Sequence, residues 1–298
     1  MKKVIAMLLM LCLAISMSVV ASAVEYDVNN ADDLAAAFAA VDCDEIKINA
    51  AGTYALSTSG KNITITGTVD GVVFDNIGAK NMGGANVTFN NVTFNYAENS
   101  TYKGLQHSGD LVYNNCIING QVFLYGNSET FNNCTFNQNS NNYNVWTYGA
   151  KKVEFNGCTF NSAGKSVLIY AESESIFNEV TVTDCDFKAS AAVEGKAAIE
   201  MDSSLTSGIN LTIDSETTVT GFGSGNVSGN SLWNNKKDNK EEKNNDITVI
   251  VGTETTLEPK FAAEIGGTKY FTLQAAIDAA VNGDVITLLE NIVEQYNL

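Results

Sequence analysis

Tyr125, Trp146, Tyr148 and Tyr170 stand in stretches that echo one another: QVFLYGN at 121–127, NVWTYGA at 144–150 and SVLIYAE at 166–172. Aromatic rings repeated along an elongated surface can grip sugars, because each ring presents a large, rigid apolar face beside a polar tip. These four are the candidate ligand-binding residues, for a polysaccharide or a cell-surface glycan. The same columns carry a second reading. Two positions before the tyrosines run Leu105, Phe123, Trp146, Leu168 and Ile199, while Gln106, Leu124, Thr147, Ile169 and Glu200 lie between. Period 2 puts the apolar column and the tyrosines on one face, and that face is expected to be the interior. Facing outward instead, Trp146 and the three tyrosines would form a glycan platform.

Other chemistry finds less support. His107 is the only histidine, which excludes a histidine-based triad and a multi-histidine metal site within one chain. The acids that alternate along the chain, Asp184/Asp186, Glu172/Glu174 and Glu200/Asp202, could supply the paired carboxylates of a glycosidase. Each pair is expected to be exposed charge bracketing an inward residue. Lys103, Lys151, Lys152 and Lys165 are expected to be solvated side chains. No catalytic residue, metal or cofactor is assigned.

The elements that must position these residues show in a repeat. FNNCTFN at 131–137 returns as FNGCTFN at 155–161, with FNNVTFN at 89–95, YNNCIIN at 113–119, VTDCDFK at 182–188 and a weak earlier copy, FDNIGAK, at 74–80. The copies are 15, 24, 18, 24 and 27 residues apart, the mark of a solenoid with one elastic loop. From Phe131 to Cys134 is three residues, which a flat strand of period 2 cannot place on one face. A corner at Asn132-Asn133 lets both point inward. Each copy then holds three short strands, and the chain is expected to be all-β: a right-handed, single-stranded parallel β-helix with an N-terminal capping helix and a small C-terminal α+β module. The 36 asparagines and 24 glycines suit its many turns. Cys116, Cys134 and Cys158 should stack as free thiols, because in-register parallel side chains hold their Cβ atoms farther apart than a disulfide prefers.

With those residues in view, the chain resembles the pectate-lyase-like right-handed β-helix family, in which stacked corner asparagines and inward apolar ladders are usual. The resemblance implies architecture more than activity. Lyases of that type generally need calcium-holding carboxylates and an arginine or lysine as base, and this chain has no arginine.

The expected organisation is a signal peptide at 1–23, an N-terminal cap at 24–58, the β-helix at 59–222, a flexible loop or linker at 223–246 and the C-terminal module at 247–298. Asn30 or Asp32 should cap a helix from Leu34 to Ala40 that plugs the open end. In the last segment Gly266-Gly267 reads as a hairpin turn, Thr272 as the cap of a helix from Leu273 and Asn282-Gly283 as a turn before a strand. This segment, with Tyr270, Thr272, Leu273, Ala276 and Ile277 and then Gly283, Asp284, Ile286, Thr287, Leu288 and Leu289, resembles a module of secreted bacterial surface proteins. It could begin a second β-helix.

The N-terminus carries two lysines, an apolar run and Ala21-Ser22-Ala23, a signal-peptidase pattern, so a secreted or bacterial cell-surface location is expected. No other stretch is long and apolar enough to span a bilayer. Removing residues 1–23 leaves 15 lysines against 34 acids, a net charge of −19, which argues against nucleic acid as a partner. The functional expectation is a non-catalytic surface protein, adhesin-like or glycan-binding. A polysaccharide lyase or hydrolase, or a structural spacer, are the alternatives.

Overall fold

The structure, a computed structural model, describes residues 23–57, 60–98, 103–170, 178–202, 209–236, 247–252, 263–270 and 273–289. The expected signal peptide, apart from Ala23, lies outside these residues. The described residues are chiefly short β-strands and the turns between them, most of the strands belonging to three parallel sheets. Among the described residues the first sheet has ten strands, from Glu25–Val28 to Ile247–Val251, and the second has eight, from Gly52–Tyr54 to Thr218–Thr220. The third has five: Val122–Phe123, Val145–Trp146, Val167–Ile169, Ile199–Asp202 and Trp233–Lys236. The chain visits the sheets in turn, so each strand pairs with its counterparts one turn before and after. This is a three-sheet parallel β-helix.

Each FNNCTFN residue has a distinct task. Phe131 ends the inward row of its first-sheet strand, stacked between Tyr113 at 4.4 Å and Phe155 at 5.4 Å between ring centroids. Asn132 stays at the corner. Its Nδ2 donates to Asn114 Oδ1 at 2.8 Å, as Asn114 does to Asn90 and Asn156 does to Asn132, and the row ends on Thr66 Oγ1. Asn133 makes the turn with φ 52°, a left-handed conformation shared by Asn91, Asn115 and Asp184, and by Gly157 at the same place in the next copy. Cys134 then points inward. Its thiol donates to the carbonyl of Tyr113, and Cys116, Cys158 and Cys185 do the same to Phe89, Phe131 and Phe155. All four are free and buried, so they act as small hydrophobes with one weak donor each. Phe136 and Asn137 start a second set of ladders: Phe136, Phe160 and Phe187 stack within 4.6 Å, and Asn161, Asn137, Asn119 and Asn95 run to Asp75.

The weak copy at 74–80 belongs elsewhere. Phe74 pairs with Phe94 in the second sheet, not with Phe89 in the first, whose partner on that side is Ile65. The expected boundaries also shift. Trp233–Lys236, placed in a linker by its Gly/Asn-rich surroundings, is a strand that pairs with Ile199–Asp202, and Ile247–Val251 closes the first sheet instead of opening the last module. Strand pairing outweighs local composition here; residues 237–246 lie outside the described set.

At the other end the helix is Ala31–Ala39. Asn30 is its cap: Oδ1 accepts the amides of Asp32 and Asp33 at 2.9 and 3.0 Å, while Asp33 Oδ2 accepts the Asn29 amide. Leu34, Ala37 and Phe38 bury against the first strands. The C-terminal residues form a hairpin, Ala263–Ile265 with Thr268–Tyr270, turned by Gly266 and Gly267 at φ 56° and 91°. The helix Leu273–Ala279 follows; the expected cap Thr272 is outside the described residues. The next strand, Ile286–Leu288, returns antiparallel to Ala263–Ile265.

Candidate functional site

The third sheet settles which way the aromatic column faces. Val122, Leu124, Val145, Thr147, Val167 and Ile169 are at most 3 % exposed, and the aliphatic ones belong to the core. With alternation along a strand, Phe123, Trp146 and Leu168, and two positions later Tyr125, Tyr148 and Tyr170, point away from it. The interior assignment holds for Leu105 and Ile199, which are in the core, and is overturned for Phe123, Trp146, Leu168 and the three tyrosines, while Leu124, Thr147 and Ile169, expected outside, are inside. Register explains the error. Leu168 pairs with Glu200, not Ile199, and the outer column reads Phe123, Trp146, Leu168, Glu200, Asn234. A one-residue slip exchanges the two faces of a strand, and two faces that are both apolar give periodicity nothing to choose between.

Trp146 and the three tyrosines come together as one partly exposed cluster, joined by the buried Phe123 and Tyr143. Trp146 meets Phe123 edge-on at 5.0 Å and lies tilted 5.7 Å from Tyr170; Tyr148 stands edge-on to Phe123 and Tyr125 at 5.4 Å and stacks on Tyr170 at 6.0 Å. Two features set the cluster apart. Tyr148 is held at φ 38°, a left-handed conformation that a bulky side chain seldom adopts. The Trp146 Nε1–H is buried with no acceptor among the described residues. Lys165 reaches across the rim, its Nζ 5.7 Å from the Tyr143 ring centre and hydrogen-bonded to the Asn141 carbonyl.

The far half of the same outer face is closed. Glu200 and Asn234 are fully buried: Glu200 Oε1 accepts the Ala197 amide at 2.7 Å, Asn234 Nδ2 donates to Glu200 Oε2 at 3.1 Å, and Asn234 Oδ1 accepts the Val227 and Ser228 amides. Glu200 is thus a structural brace and not the exposed charge expected. Asp184 sits at a left-handed corner, and Asp186 lies on the second sheet bonded to Thr218 and to Lys188 at 3.1 Å. Glu172 and Glu174 lie outside the described residues. Lys103 is buried, against expectation, its Nζ bonded to the Glu98 carbonyl at 2.8 Å, and burial holds its pKa below the ordinary value. Lys152 pairs with Glu154 at 2.8 Å, which holds that carboxyl below its usual range. Among the described residues no group of three or more His, Cys, Asp or Glu could hold a metal ion.

Sequence reasoning missed Glu129. It occupies an inward position of Ser128–Asn132, is 1 % exposed, and lies 3.5 Å from His107 Nε2. Its Oε1 accepts the Tyr125 backbone amide at 2.8 Å. Burial raises its pKa, against the opposing pull of His107 and that amide. Aligning the repeats puts Glu129 under Leu111 and over Val153, and an acid in an aliphatic column was the signal available. Comparison with family models, curated proteins and solved structures gave no significant match, so the site stands on its own geometry.

Proposed function

We propose that this is a secreted or surface-associated β-helix protein of the pectate-lyase-like kind that binds glycan without cleaving it, through the platform of Tyr125, Trp146, Tyr148 and Tyr170. The observation that carries this is the outward, partly exposed aromatic cluster on the third sheet, at the point where no described loop closes the outer face. Pyranose rings expose C–H faces that pack on aromatic rings such as those of Trp146 and Tyr148. The strained Tyr148 backbone supports the reading, since strain is retained where the surroundings or a function require it. The export pattern and the acidic composition suit a protein that works outside the cell.

Purified protein is titrated with a neutral β-glucan and with polygalacturonate while binding and product release are followed. The expected result is binding without product, weakened about tenfold or more in Trp146→Ala. Unsaturated or reducing-end product would replace this reading with a lyase or hydrolase. No response to any glycan in a wider screen would favour a spacer.

A further inference from the structure

The column that contains Glu129 reads, in register, Ile63, Val87, Leu111, Glu129, Val153, Val180, Leu211 and Val249. One carboxylate interrupts a column of seven aliphatic residues, flanked by Leu111 and Val153, beneath the turn that carries Tyr125. Replacing a buried ion pair with aliphatic residues is often neutral or stabilising, so stability alone does not account for the pair. What it reaches does. Glu129 Oε1 takes the Tyr125 amide at 2.8 Å, and His107, its side chain fully buried, lies against the next residue. Gly126 has φ 114°, and a Cβ there would come within 2.6 Å of the His107 ring. Glutamate and histidine thus hold Tyr125 and Gly126 from inside the coil, while the Tyr125 ring meets Tyr148 outside at 5.4 Å.

We propose that Glu129 and His107 are positioning residues for the aromatic platform, fixing the Tyr125–Gly126 turn from the core so that the Tyr125 ring is held against Tyr148. This rests on the platform reading given above. The pair touches no ligand; it acts through the backbone of the turn.

The test uses the full protein and two variants. Glu129→Gln keeps an acceptor for the Tyr125 amide; the double variant Glu129→Leu, His107→Leu removes the pair together and leaves neither partner alone. The first readout is hydrogen exchange of the peptide that contains Tyr125, without ligand. Protection is expected in the wild type and in E129Q and is lost in the double variant, whose melting temperature is unchanged or higher. Unchanged protection in the double variant overturns the proposal, as does a loss of protection matched by a fall in melting temperature. The second readout is affinity for the β-glucan, expected to fall about tenfold in the double variant, or 1.4 kcal/mol. Unchanged affinity there overturns the proposal. A wild type that binds neither β-glucan nor polygalacturonate sinks the platform, whereas the exchange arm still decides whether Glu129 and His107 hold the turn.

Discussion

Two sets of aromatic rings, one inside the coil and one outside, share their chemistry and differ in order. Along each column the inner rings are regular: Phe136 on Phe160 and Phe160 on Phe187 are inclined by 6° and 7°, all fully buried. Along the outer columns no single tilt recurs: Phe123–Trp146 and Tyr125–Tyr148 meet at 65° and 70°, Tyr148–Tyr170 at 20°, and most of these rings are partly exposed. Inside, strand spacing of about 4.8 Å sets the distance and tilt along each ladder, and rings of the two adjoining ladders lock edge-on, Phe131 with Phe136 at 64° and Phe155 with Phe160 at 80°. Outside, solvent and loops relax that constraint. The inner set therefore serves stability, and the outer set is free to be selected for something else.

The sharpest challenge to this division is a pair of alanine substitutions. Phe136→Ala removes a ring packed on four sides and should cost about 3–5 kcal/mol of unfolding free energy. Trp146→Ala should cost roughly 1–2 kcal/mol, the worth of its ring contacts, and act mainly on binding. Equal losses in denaturant melts would erase the distinction. Next in size is Asn132→Ala, which leaves the Asn114 acceptor and the Asn156 donor of the ladder without their partner. A loss of about 1–3 kcal/mol is expected, with glycan affinity unmoved because the corner is remote from the third sheet. A fall in affinity would show that the corner and the platform are coupled.

The smallest effect concerns Glu129, which lies between the two sets. Burial, opposed by His107 and the Tyr125 amide, raises its pKa in the folded state. The unfolded chain then releases this proton at lower pH than the folded one, so the group's contribution is present below the ordinary carboxylate range. It is lost as pH rises through the elevated value. Wild type should therefore lose stability relative to E129Q across that window and hold level above it. A difference that stays flat with pH, read from urea melts at several pH values, would show a carboxylate fully compensated where it lies.

How much of this was legible beforehand follows from how locally each feature is encoded. The corner was readable because Asn132, Asn133 and Cys134 do adjacent jobs in adjacent positions, and the thiol ladder followed from it. The orientation of Trp146 was not, because Val145 and Trp146 are both apolar and only pairing with distant Glu200 and Asn234 decides which is inside. The strand at Trp233–Lys236 was hidden for the same reason, being defined by its partner Ile199–Asp202 more than by its own composition. Glu129 was visible only to someone who had already placed Leu111 and Val153 in its column.

The corner amides have a further consequence. Every Nδ2 in the row from Asn156 to Asn90 donates toward the N-terminal end, so the row is polar and each member asks only for an acceptor on the preceding turn. Such an arrangement has no preferred length. An in-frame duplication of one turn, 18 or 24 residues here, supplies its own donor and acceptor and lengthens the molecule by about one strand spacing. Growth in kind, one coil at a time, is thereby written into the hydrogen-bond direction of a single side chain.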